Sequence, residues 1–213
     1  MNSCKKIIIN GRLPGYNHST NITATSWKVY LIICNERNAN IQSWLRGEGL
    51  MEKNLIKNAL RMMPYGLYCV TSQNGGEYNA MIATWITQVS FEPRLIAVCV
   101  QKTSYSYNLI KAGMVFALNL FNKEEFSEIK KYTKSRSKNP DKMKNIKFSE
   151  GPETGCPILP ESSAFLECRV RTILDTGGDH DIIIGEIVAG GINKPGGMAD
   201  TLTLTDLGWN YAG

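Results

Sequence analysis

The sequence predicts a mainly β protein with a few helices, arranged as an antiparallel barrel rather than a doubly wound parallel sheet. Three observations carry this expectation. Short apolar runs of strand length recur from Met51 onward, among them Leu67 to Ser72, Leu95 to Val100 and Met114 to Leu120. Glycine pairs at Gly75-Gly76 and Gly177-Gly178 lie between such runs, where hairpin turns belong. The resulting links are short, which favours antiparallel pairing.

Residues 1–50 differ from the rest. They are rich in Asn, hold one isolated apolar run at Val29 to Cys34, and show no sustained period. They read as an N-terminal extension, either a poorly ordered arm or residues upstream of a natural start at Met51. The domain proper is expected over residues 51–213. Met51 opens a helical pattern with Leu55, Ile56, Ala59, Leu60 and Met63, which ends near Met63-Pro64. Leu67 to Ser72 reads as a strand, Asn74-Gly75-Gly76 as its turn and Glu77 to Met81 as the return strand. Thr84 to Phe91 continues extended, and Leu95 to Val100 has the length of a buried strand. Ser104 reads as the N-cap of a helix over Tyr105 to Ala112, with Gly113 as its stop. Met114 to Leu120 is another strand, and Lys123 to Ser135 is expected as a charged amphipathic helix. A loop region with Pro140, Pro152, Pro157 and Pro160 follows. Ala164 to Asp175 and Asp181 to Ala189 are the last two long strands, which brings the total to six or seven strands and two or three helices.

Composition excludes several classes. The 213 residues are 43% hydrophobic and 20% charged, enough for one domain with a substantial core and too apolar for a disordered chain. The longest apolar runs fall far short of the ~20 residues that span a bilayer. Lys5 and Lys6 precede only Ile7 to Ile9, too short for a secretory core, so a cytoplasmic location and no membrane partner are expected. The six cysteines, Cys4, Cys34, Cys69, Cys99, Cys156 and Cys168, show no C-x-x-C spacing, which argues against a zinc or iron–sulfur site. Cys69 and Cys99 lie in apolar runs and read as buried thiols. The sequons at Asn17 and Asn21 carry no weight without secretion. Lys123 to Lys147 holds nine basic and four acidic residues. It reads as a solvated face or as a surface for phosphates or an acidic partner. It lacks the interleaved aromatics of a nucleic-acid platform, so no nucleic acid is expected.

Acid–base machinery is sparse. His18 and His180 are the two histidines, no nucleophile triad is evident, and neither G-x-G-x-x-G after a strand nor G-x-x-x-x-G-K-[ST] occurs. An enzyme of this composition would take its hard chemistry from a cofactor. Three clusters stand out. Asn79 to Pro93, NAMIATWITQVSFEP, carries slim or hydroxylated residues at Ala80, Ala83, Thr84 and Thr87, which let a backbone approach a flat ligand. Gln101-Lys102-Thr103-Ser104 joins a strand to a helix start and is either an ordinary cap or a phosphate pocket. Gly177-Gly178-Asp179-His180 is either a plain hairpin turn with an exposed His or part of the same site.

In order, the motifs are Met63-Pro64-Tyr65-Gly66 with Val70-Thr71, NAMIATWITQVSFEP, KTSYS, Phe116 to Leu120 with Asn119, and GDH before Gly185-Glu186-Ile187-Val188. Together they resemble the flavin reductase-like family, over roughly 160 residues from Met51 to the C-terminus. The ending Leu204-Thr205-Asp206-Leu207-Gly208-Trp209 also resembles members that act alone or are fused to rubredoxin-like modules. Two positions depart from the family pattern: Ile82 stands where Ser or Thr is usual, and Pro93-Arg94 where Pro-Pro is common.

The resemblance implies an FMN-binding split barrel, usually a homodimer, with FMN (or FAD) as cofactor and NADH or NADPH as hydride donor. FMN would lie along Asn79 to Gln88, with Asn79 near the ribityl chain or phosphate and backbone groups of Ala83, Thr84 and Trp85 at the ring edge. Gln101, Lys102, Thr103 and Ser104 would hold the phosphate. His180 matches the family histidine associated with the nicotinamide donor. The implied activity is hydride transfer from NAD(P)H to flavin and onward to an acceptor, a redox protein or monooxygenase. With no Cys pairs for a rubredoxin iron site, such a partner is expected as a separate chain. The alternative is a flavoredoxin-like carrier with tightly bound FMN reduced by a protein. A split barrel holding another planar ligand, such as haem, fits the Lys102 to Ser104 cluster less well.

Overall fold

The structure, a computed structural model, describes residues 49–209. The proposed extension over 1–50 lies almost wholly outside them. The helix expected from Met51 runs over Gly49–Leu60 (α1). Its apolar residues Leu55, Ile56 and Leu60 are exposed. A compact unit begins at Lys57, and the β structure belongs to it.

Seven strands form one antiparallel sheet: β1 (Tyr68–Asn74), β2 (Glu77–Ala83), β3 (Ile86–Ser90), β4 (Leu95–Gln101), β5 (Val115–Leu120), and the long pair described below. Gly75 and Gly76 both adopt positive φ, 57° and 87°. That is the twist a two-residue hairpin requires and other residues resist, and it sets Asn74 opposite Glu77. A two-stranded ribbon of β6 (Ser149–Glu150) and β7 (Pro157–Ile158) stands apart. The long strands β8 (Ala164–Asp175) and β9 (His180–Ile192) close over the Gly177-Gly178 turn. The sheet order is β2-β1-β5-β8-β9-β4-β3.

The sheet curls on itself. One buried cluster draws Val70 from β1, Ala83 from β2, Val98 from β4, Phe116 from β5, Val170 from β8 and Ile183 from β9, with Ile86 of β3 packed against it. Strands from opposite ends of the order therefore share one interior, as in a barrel. Helix α2 (Tyr105–Gly113) adds Tyr107 and Ile110 to that core. Each large side chain so buried stabilises the fold by about 1.5–3 kcal/mol.

The opposite faces of β1 and β2 send Cys69 and Ala80 into a second cluster with Phe121, Ile129, Tyr132, Met143, Leu159 and Leu202. The period of two along a strand thus serves two cores at once. The C-terminal segment is stitched in by Leu67 N–H to Leu202 O (2.9 Å), Leu202 N–H to Phe121 O (2.8 Å) and Leu204 N–H to Tyr65 O (3.1 Å).

Two local expectations are corrected. Gly113 ends α2 from inside, and the left-handed cap is Met114, φ 54°. Gly113 is needed for space: a Cβ there would lie 2.0 Å from Gln73 O. The continuous helix expected over Lys123 to Ser135 is instead a 3-10 turn (Lys123–Glu125), a short helix α3 (Phe126–Ile129) and a second 3-10 turn (Lys130–Tyr132). Tertiary bonds stop it, because the carbonyls of Tyr132 and Lys134 accept from the Lys142 ammonium at 3.0 and 2.6 Å.

Candidate functional site

Where β2 ends and β3 begins, the chain turns away from the barrel and leaves a cavity of about 300 Å³. Met81 to Trp85 line one side, Cys99 to Gln101 and Ser104 another, and His180, Thr133, Leu204 and Trp209 complete it. Register explains the meeting. β4 pairs with β9 so that Gln101 lies opposite His180, which puts the β4–α2 turn and the β8–β9 hairpin at one end of the sheet. The Cys99 N–H donates to Trp85 O (3.0 Å) and holds the β2–β3 segment against β4. The Trp85 and His180 rings stand 5.0 Å apart between centroids, tilted by 53°.

The β4–α2 turn is firmly built. Ser104 Oγ accepts from Tyr107 N–H (3.1 Å), the expected N-cap. The Lys102 ammonium is held by two carboxylates, Asp175 at 2.5 Å and Asp181 at 3.3 Å. The hydrogen bond that Lys102 donates to Asp175 leads in raising the Lys102 pKa, and Lys102 in turn holds Asp175 below the usual carboxylate range. Asp181 is buried and also accepts from Tyr107 Oη at 2.6 Å, which pushes that phenol up. His180 Nδ1 lies 2.9 Å from Asp179, whose carboxyl this contact lowers.

Of the residues singled out by sequence, the cavity brings together Ala83, Thr84, Trp85, Gln101, Ser104 and His180. Lys102 and Thr103 belong to the same turn without lining the cavity. Asn79 points elsewhere: it is buried and donates to Ser106 Oγ at 2.7 Å. Gln88 is exposed, donates to Ser90 O at 3.1 Å and lines a different hollow with Tyr68 and Arg94. Met81 falls within the Asn79 to Gln88 segment singled out by sequence, whereas Thr133 and Leu204 are not marked there as site residues, because their approach depends on long-range packing. Cys99, expected as a buried thiol, is half-buried and lines the cavity. Cys69 is buried as expected, and burial raises its pKa well above that of a free thiol. All four cysteines among the described residues are free. Trp209 reaches the cavity from the C-terminal segment; Tyr211 lies outside the described residues.

Residues 60–207 match the flavin reductase like domain. The chain belongs to the flavin reductase-like family. The diflavin flavoprotein A 1 of Synechocystis sp. is 29% identical over 144 residues, 67% of this chain and 25% of that protein. The high molecular weight rubredoxin of Moorella thermoacetica is 32% identical over 133 residues, 61% of this chain and 56% of that protein. The chain thus spans under a third of the length of the diflavin relatives. Among solved structures, the flavoredoxin of Methanosarcina acetivorans matches 73% of this chain and 91% of its own at TM-score 0.58 and 22% identity. The NADH:FAD oxidoreductase SgcE6 of Streptomyces globisporus C-1027 matches 74% and 87% at TM-score 0.58 and 22% identity. At such identity the likeness is one of fold. No described helix is long and apolar enough to cross a membrane.

Proposed function

We propose that this flavin reductase-like chain is an FMN-binding oxidoreductase that takes a hydride from NADH or NADPH and passes electrons to an acceptor. The observation that carries the reading is the meeting of Ala83-Thr84-Trp85, the β4–α2 turn and His180 around one cavity. Its volume stands at the lower end of the ~300–1,000 Å³ of ligand sites, which suits a flat ring held with its tail outside. Ala83 and Thr84 are slim enough for close approach, and Trp85 with His180 supplies an aromatic wall.

The phosphate end fits in part. The N-terminus of the nine-residue α2 and the exposed Thr103 suit an anion, whereas Lys102 is already shared between Asp175 and Asp181. A phosphate drawing on Lys102 competes with Asp175, which is exposed enough to release it. Asn79 and Gln88 have no part in this reading of the cavity. Ile82 lines the cavity as an apolar residue where the family usually has a hydroxyl.

Bound flavin would supply a hydride acceptor that hands electrons on. The chain's own work is orientation: His180 positions the nicotinamide donor, the turn holds the anionic tail, and Trp85 excludes water. A homodimer, an FAD alternative and a cytoplasmic setting belong to the same proposal, as does a domain confined to residues 51–213.

The test is direct. The purified full chain is expected to be yellow or to turn yellow with FMN, and to consume NADH or NADPH when FMN is present. A chain that binds no FMN ends the reading. A yellow chain inert to both nucleotides makes it a flavoredoxin-like carrier.

A further inference from the structure

Residues 130–147 hold eight Lys and Arg and a single carboxylate, Asp141, a net of +7, while the whole chain carries +5. Residues 1–50 carry a net +4, and the rest of residues 51–213 outside this stretch a net −6, so within the domain the positive charge is concentrated in eighteen residues. The concentration is built into the fold. Tyr132 and Met143 turn inward to the second core, and the buried Lys142 ammonium sits inside the loop, holding the carbonyls of Tyr132 and Lys134. Successive turns, Asn139 N–H to Ser135 O, Lys142 N–H to Asn139 O and Lys144 N–H to Asp141 O, wind the chain around it. Lys134, Lys138, Lys144 and Lys147 are left exposed, with no salt bridge to a carboxylate among the described residues. Thr133 of the same loop lines the cavity, and Arg136 lies over the ring of Tyr105, first residue of α2, at 5.0 Å. The hairpin that carries His180 is acidic by contrast, with Asp175 and Asp179 exposed on it.

We propose that this loop is the docking surface for an acidic one-electron carrier protein, which receives electrons at the Thr133 rim of the cavity. The inference rests on the flavin reading and names the class of its acceptor. The electron balance closes: one NADH gives two electrons and a proton, two oxidised carriers each take one electron, and the proton goes to solvent. The loop's exposed lysines steer an acidic surface to the Thr133 rim, while the exposed carboxylate of Asp179 on the His180 hairpin disfavours the same surface there. A nucleic acid is disfavoured because Tyr132 is buried and Phe148 half-buried against the second core, so neither offers a stacking face. A membrane is disfavoured because the loop's apolar residues, Met143 and Ile146, pack against that core as well.

The experiment uses the full chain and, as probe, oxidised rubredoxin of acidic sequence. Binding is measured by surface plasmon resonance with and without FMN, at low and high salt, for the wild type and for K134E/K138E/K144E. The expected result is at least a tenfold weaker Kd for the variant at low salt, a gap that closes at 0.5 M salt as screening shortens to a few Å (~3 Å at 1 M). NADH consumption with free riboflavin as acceptor stays unchanged in the variant. Equal Kd values for wild type and variant overturn the proposal, with or without bound FMN. So does a variant that binds rubredoxin normally and raises KM for NADH and NADPH, since the lysines would then serve the dinucleotide phosphates. Failure of the flavin reading shows separately, in the visible spectrum.

Discussion

Lys102 is asked to do two things, hold Asp175 and Asp181 together and offer charge to an anion. Removing it leaves Asp181 buried with, among the described residues, the hydrogen bond from the Tyr107 hydroxyl. On the proposed reading, Lys102→Ala with Ser104→Ala weakens FMN binding more than it slows hydride transfer. The loss of the cap adds about 1 kcal/mol of destabilisation. His180→Ala does the reverse, slowing reduction by NAD(P)H more than it weakens FMN binding. Fluorescence titration of FMN and single-turnover reduction separate the two, and equal effects from both variants would contradict the division of roles. Asn119 is a residue of a different kind. Fully buried, it donates to Thr71 Oγ1 (3.2 Å) and accepts from Leu159 N–H (2.8 Å). Asn119→Ala orphans that N–H and is expected to cost about 1–3 kcal/mol in urea unfolding, with FMN affinity unchanged. The sequence marks Asn119 only as part of a motif. Its work, tying β5 to the loop before β8, depends on a residue forty positions away.

At the scale of elements, the segment after β5 was the least readable. Its charges at helical spacing suggest a solvated helix, yet Glu125 is buried and turns back. It accepts from Asn122 N–H, Ser163 Oγ (2.8 Å) and the Lys194 ammonium (3.1 Å). Burial alone would raise its pKa; the bonds from Ser163 and Asn122, with Lys194, outweigh that and hold it below the usual range. A folded pKa below the unfolded one means the carboxylate's contribution is complete above about 4.3 and is lost as pH falls through the folded value. Glu125→Gln is therefore expected to be less stable than wild type at pH 7, with the gap narrowing towards pH 3. Urea midpoints at the two pH values measure it; a constant gap would show that the charge is irrelevant. The hairpins, by contrast, were legible, because Gly75-Gly76 and Gly177-Gly178 encode their turns locally.

For the whole molecule, a ligand that binds only the folded chain must stabilise it. Free FMN at a hundredfold above Kd is expected to add about 2.7 kcal/mol. For a chain of this size that raises the thermal midpoint by roughly 5–10 °C. A midpoint that ignores FMN at every concentration contradicts the proposed site.

The β class, the hairpins and the Ser104 cap are legible in the chain alone, since each is written in residues a few positions apart, and the family is legible in the order of its motifs. That order also brought Ala83, Trp85, Ser104 and His180 into one hypothesis. It took the folded barrel to turn Asn79 to Ser106, to face Gln88 into another hollow, and to share Lys102 between Asp175 and Asp181. Folding also raises the basic loop beside the cavity on the buried ammonium of Lys142. The physical reason is range. Turns and caps are settled by local backbone geometry, whereas the partner of a buried amide or ammonium is set by whichever distant strand the barrel brings against it.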